Sequence, residues 1–206
     1  MTAERHRFRR AAGLAALVVL LASCATDSVD PATPPAGPHA PTAPASRLTP
    51  QDATGETIDL EGAGSIVAPS GATVEGPSTT PNGSQQLNIR MPDADDSGLP
   101  AVQVTWGADT AGVYEQSWTA ENAAKVDGTI SDYVRAAAQW PGSAESVVAT
   151  WTEEIALTTD GSLDVSATRL TVQDDDGTTV IVLALTPEGE MADSDAERVL
   201  RSLTLG

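Results

Sequence analysis

Asp93-Ala94-Asp95-Asp96-Ser97-Gly98 sets oxygen-bearing side chains at alternate positions ahead of a glycine, the spacing by which calcium loops wrap ligands around one ion. Asp93, Asp95 and Ser97 are the candidate ligands. The decisive acid is missing, because position 12 of such a loop is Val104, inside an alternating apolar segment. The expected role is therefore a charged turn. The same holds for Asp174-Asp175-Asp176-Gly177, whose acids are consecutive. Trp118 and Trp140 form the second candidate. Both stand at the ends of predicted elements, where an exposed indole stacks on a sugar or an apolar ligand; the competing role is packing at the edge of the core. Trp106 and Trp151 fall on the apolar phases of their strands and are expected inside.

Histidine sets the sharper limit. The chain has two, His6 and His39, and both precede the segment expected to fold. A Ser-His-Asp or Cys-His catalytic unit cannot be assembled in that segment, nor can a histidine-ligated zinc or copper site. No cofactor and no catalytic residue is expected. An enzyme built here would depend on paired carboxylates, as glycosidases do.

The single cysteine, Cys24, follows Leu21-Ala22-Ser23, and a basic segment (Arg5, Arg7, Arg9, Arg10) precedes the apolar run from Ala11 to Leu21. That run is too short to cross a bilayer of roughly 30 Å as a helix. Its basic front and small-residue exit are those of a secretory signal. The segment resembles a bacterial lipoprotein signal, cleaved just before a cysteine whose sulfur receives a diacylglyceryl group. Residues 1–23 are thus expected to be the signal peptide and Cys24 the lipidation site, with the membrane reached through acyl chains. Two chains matter, since each buried methylene contributes roughly 0.8 kcal/mol and one chain alone holds a protein only marginally.

Cleavage there would remove four of the 11 basic residues and one of the 29 acids, leaving seven against 28 and a net charge of about −21. Such a chain does not bind nucleic acid or anionic lipid through its general field. Its acids keep the surface solvated, and any partner held by charge would be basic.

From Ala25 to about Pro50 the chain is rich in proline, alanine and threonine. This composition predicts an extended spacer after Cys24, over residues 24–50. One globular domain is expected over 51–206. Leu87, Ile89 and Met91 alternate with polar residues, as do Val102, Val104 and Trp106, the period of half-buried strands. Ile58 to Leu60 and Ile66 to Pro69 are shorter strand pieces. Val147 to Leu157, Leu163 to Val172 and Val180 to Leu185 predict an antiparallel meander, with tight turns at Asp160-Gly161 and Asp176-Gly177.

Helices are predicted at Ile130 to Ala137, behind a cap at Thr129, and from Ser194 to Leu203, where Ser194 and Glu197 fit a capping box. A shorter one is predicted to start at Thr119 and stop before Asp127-Gly128. The run Val180 to Leu185 has no polar face and calls for cover on both sides of its sheet. The expected class is α+β, an antiparallel sheet covered by helices on both faces.

This order resembles the PsbP-like fold, in particular that of actinobacterial lipoproteins of the LpqN type. The matching features are an early strand ending Val67-Ala68-Pro69-Ser70-Gly71, a central helix leading into the meander, and a closing helix running into Arg201-Ser202-Leu203-Thr204-Leu205. The aromatic usual after the Pro-Ser-Gly element is replaced by Ala72. The resemblance implies an α/β/α sandwich and a role in binding or assembly. The expectation is a lipid-anchored, extracytoplasmic protein that binds a ligand or partner at the cell envelope; the alternative is a carboxylate-based hydrolase acting on envelope glycans.

Overall fold

The computed structural model describes residues 37–108, 111–156 and 161–206. Cys24 and the signal segment lie outside them, as do Leu157 and Asp160 at the first predicted meander turn. The elements are β1 (Glu56–Asp59), β2 (Gly64–Ala68), β3 (Thr73–Thr79), β4 (Gln85–Arg90), β5 (Ala101–Ala108), α1 (Val113–Ala124), β6 (Ile130–Ala137), β7 (Glu145–Ala156), β8 (Ser162–Gln173), β9 (Thr178–Pro187), α2 (Asp195–Arg201) and β10 (Thr204–Leu205). Seven strands form one antiparallel sheet in the order β3-β4-β5-β9-β8-β7-β6, and β1, β2 and β10 form a second.

The expected α+β sandwich is corrected by this architecture. Strand makes up 45% of the structure and helix 12%, in two antiparallel sheets with two helices. The cause lies in two segments. Val180, Val182 and Ala184 are fully buried, but the alternate residues Ile181, Leu183 and Leu185 are only half-buried. The apolar run thus has complete cover on one face alone. Ile130 to Ala137, predicted as a helix, is a strand paired with β7. A bulge explains the misleading period: the register shifts between Ser131 and Val134, and Asp132 takes a left-handed backbone (φ 53°). The extra residue puts Ile130 and Tyr133 on one face at an i, i+3 interval, which imitates a helix turn.

On the core face, Leu87, Ile89, Val102, Val104 and Trp106 join Val180, Val182 and Leu170 under α2 and β2. Helix α2 supplies Ala196, Val199 and Leu200 to this core, with Leu203 following. Its start is chemically specified: Ser194 Oγ accepts from the Glu197 amide at 3.0 Å, and Glu197 Oε2 accepts from the Asp193 amide at 2.7 Å. Ser202 then ties the helix to the second sheet, its Oγ accepting from Val67 N at 2.9 Å.

On the outer face, α1 packs chiefly over β6, β7 and β8. It begins at Val113, ahead of the predicted Thr119. Two of its sheet-facing residues, Ser117 and Glu121, are polar and bind Arg135, which dilutes the apolar stripe expected of a helix. Arg135 is 8% exposed.

Part of the predicted spacer also belongs to the folded body. Pro41 is buried and Leu48 packs against the core. The Ser46 amide donates to Ala137 O at 2.7 Å, Arg135 Nη1 donates to His39 O at 2.6 Å, and Arg201 Nε donates to Thr49 O at 2.9 Å. The expected domain boundary at residue 51 therefore moves back to about His39.

Candidate binding face

Because α1 packs chiefly on β6, β7 and β8, no helix among the described residues lies over the outer face of β3, β4, β5 and β9. Strand register fixes which side chains stand there, since alternate residues share a face. Arg90, Ala101 and Leu185 form one cross-strand row, and Glu75, Asn88, Gln103 and Leu183 form the next. Gln103 Nε2 donates to Asn88 Oδ1 at 3.2 Å, which ties the two amides together on this face. Beside them lie the half-buried Leu183 and Leu185, and Ile155 from the far end of β7. Together these residues line a groove of about 400 Å³, with Ser97, Gly98 and Leu99 at its end. That volume is within the range of small-ligand sites.

Lys125, Arg135, Arg198 and Arg201 each have an acidic partner, whereas Arg47, Arg90 and Arg169 have none among the described residues, and of these three Arg90 lines the groove. Its guanidinium lies over Gly98, with Nη2 3.1 Å from where a Cβ would stand. Gly98 has φ 87°, so glycine serves both the turn and this close approach. Among the described residues Glu75 is the one carboxylate on the groove wall.

The residues singled out from sequence do not come together. Asp93, Asp95 and Ser97 lie in the β4–β5 turn, all exposed. Asp95 Oδ1 accepts from both the amide and the hydroxyl of Ser97. Those hydrogen bonds hold its carboxyl below the usual range. Its oxygen is directed back into its own turn, and among the described residues no group of acids or histidines is gathered as a metal site.

Trp118 is 40% exposed on α1, and the His39 ring stacks on it at 4.2 Å between centroids. Trp140 is 4% exposed, and its Nε1 donates to Leu203 O at 3.2 Å. Of its two candidate roles, an exposed stacking ring or packing at the edge of the core, the structure places the indole in the core. Trp151 stacks on Tyr133 at 5.5 Å.

Sequence reading missed the groove for a definable reason. Its apolar half comes from the polar-looking phase of β5 and the supposedly covered phase of β9, and β3 was not recognised at all. All seven residues of β3 are exposed, so it carries no burial pattern. Two further polar groups lie beneath α1. Burial pushes the Glu121 carboxyl upward, but hydrogen bonds from Arg135 and Lys125 outweigh it and leave it below its ordinary value. Burial raises the Tyr133 hydroxyl, with nearby Arg169 opposing.

No family model and no curated protein matches the chain. Among the described residues no helix is long and apolar enough to cross a membrane.

Proposed function

We propose that this chain is a lipoprotein, anchored by acyl chains on Cys24 at the outer side of the cell membrane. There it binds a ligand or partner of the envelope without catalysis of its own. The observation that carries the binding reading is the uncovered groove over β5 and β9. It offers half-buried leucines, a row of sheet amides and an arginine without an acidic partner. These suit an occupant with an apolar body and a hydrogen-bond acceptor for Arg90.

The lining also bears on chemistry. Glycan hydrolysis by carboxylates needs two of them about 5 to 9.5 Å apart, and among the described residues the groove wall has Glu75 alone. Asp52 and Asp195 share another hollow, but Asp195 is ion-paired with Arg198 and no tryptophan lines that hollow. The acidic surface argues in the same direction for nucleic acid, which such a field repels.

The test is comparative capture of envelope extract on the immobilised protein. A molecule retained by the wild type is expected to be lost from Leu183→Asp, with the thermal midpoint little changed because Leu183 is half-buried. Arg90→Ala is expected to weaken the same retention. Equal retention by wild type and Leu183→Asp would remove the groove as the binding face.

A further inference from the structure

The wall of the groove over β5 and β9 carries two opposite charges that leave one another unpaired. Glu75 stands opposite Asn88 in the β3–β4 register, and Arg90 lies two residues further along β4 on the same face. That makes them diagonal neighbours, roughly 7 to 8 Å apart between Cα atoms. Both are exposed and both line the groove. Among the described residues neither makes an ion pair, with the other or with a third group. The Arg90 guanidinium is turned toward Gly98 instead, so the space between the two charges stays part of the open groove.

The amides beside these charges have a direction. Because Gln103 Nε2 donates to Asn88 Oδ1, the pair is left with the Asn88 Nδ2 donor and the Gln103 Oε1 acceptor. Neither atom has a hydrogen-bond partner among the described residues. A free donor next to a free acceptor is the complement of a peptide unit, whose carbonyl accepts and whose N–H donates. Asn88 is exposed and Gln103 half-buried, so both are within reach of a ligand in the groove. Across β5 from them, the half-buried Leu183 and Leu185 form its apolar end.

We propose that the groove takes a short apolar peptide with free ends, an inference that rests on the reading of this groove as the binding face. The terminal ammonium donates to Glu75, and the terminal carboxylate accepts from Arg90. The peptide unit between them meets Asn88 and Gln103, while the side chains lie on Leu183 and Leu185. Opposite charges on one wall disfavour a simple anion or cation, since each would meet one partner and one like charge. An arginine also holds a carboxylate through two parallel hydrogen bonds, which fixes the direction of the peptide.

The probe is leucyl-leucine, titrated calorimetrically into the full chain held in phosphatidylcholine nanodiscs, with empty nanodiscs as the reference. Saturable binding is expected. Free leucine lacks the peptide unit and N-acetyl-leucyl-leucine lacks the ammonium, and each should bind about tenfold more weakly, the scale of one lost hydrogen bond to a charged group. Glu75→Gln should weaken leucyl-leucine by a similar factor, yet the acetylated peptide should bind wild type and Glu75→Gln alike. Leucyl-leucine amide should stand in the same relation to Arg90→Gln. Loss of folding in either variant would weaken free and capped peptides together. Asp176→Asn removes a charge from an exposed turn and should change nothing. No saturable binding, equal affinity for free and capped ends, leucine binding as tightly as the dipeptide, or equal weakening by Glu75→Gln and Asp176→Asn would each overturn the peptide. If envelope material is still retained by the wild type and lost from Leu183→Asp, only the peptide falls; if that retention is also indifferent to Leu183→Asp, the groove falls with it.

Discussion

Trp140 reaches across the molecule from the β6–β7 turn to donate its indole N–H to the Leu203 carbonyl at 3.2 Å. That bond ties the turn to the residue that follows the α2 C-cap. Trp140→Ala is expected to destabilise by about 3 to 5 kcal/mol, the usual cost of deleting a buried aromatic side chain. Trp118→Ala should cost far less, about 0.5 to 1.5 kcal/mol, since the ring is 40% exposed and loses chiefly its stack on His39. Urea unfolding of the two variants separates them. Similar losses would mean that Trp118 is the buried anchor and that the assignment of the two indoles is reversed.

Glu121 and Arg135 give the fold a dependence on pH. The Glu121 carboxyl sits below its ordinary value of 4.5 because Arg135 and Lys125 hydrogen bond to it, against the opposing effect of burial. A carboxyl depressed on folding adds stability above its unfolded pKa, and that stability is lost as pH falls through the lower folded value. Glu121→Gln also leaves the nearly buried Arg135 guanidinium without its anion. Near pH 7 the substitution is expected to cost about 1.5 to 3 kcal/mol. The gap between variant and wild type should hold down to about pH 5 and narrow below pH 4.5. A gap that is constant from pH 7 to pH 3 would show that the ion pair contributes nothing to stability.

The parts of the fold legible in sequence are those where a single physical rule acts alone. Strict alternation found β4 and β5, and the Asp176-Gly177 turn marked the β8–β9 hairpin. The capping pair Ser194 and Glu197 found α2, because a cap is local chemistry. Three features escaped for reasons of context. The bulge at Asp132 gave β6 a helical interval. Ser117 and Glu121 made the buried face of α1 polar in service of Arg135. Pro41 and Leu48 lie in a composition typical of a spacer, yet they dock because the β6 edge and the end of α2 offer donors and acceptors to their backbone. The groove was hidden for the related reason that Leu183 and Leu185 read as core.

The anchor prediction rests on Cys24 alone. Cys24→Ala should release the protein from the membrane fraction, because one missing thioether removes both glyceride chains. The variant should unfold with the wild-type midpoint, since among the described residues the contacts of the folded body begin near His39. Sedimentation of the variant with membranes after a high-salt wash would overturn the lipid anchor.

The last prediction sets Leu200 against its neighbour Arg201. Leu200 is fully buried in the core beneath α2, with Val199 and Leu203 beside it. Its truncation to alanine should cost about 2 to 5 kcal/mol, a large share of the roughly 5 to 15 kcal/mol that holds a domain together. Arg201, expected from sequence to face solvent, is half-buried and donates to Thr49 O at 2.9 Å, while its pairing with Glu197 is loose at 4.0 Å. Arg201→Ala therefore removes a tie to the docked segment without opening the core. It should cost about 1 kcal/mol and raise amide exchange in residues 46–51, where the Gln51 amide donates to Arg201 O. Leu200→Ala should instead raise exchange throughout β9 and β2. If Leu200→Ala unfolds no more readily than Arg201→Ala, α2 does not close the core, and the cover argued for Val180, Val182 and Ala184 fails with it.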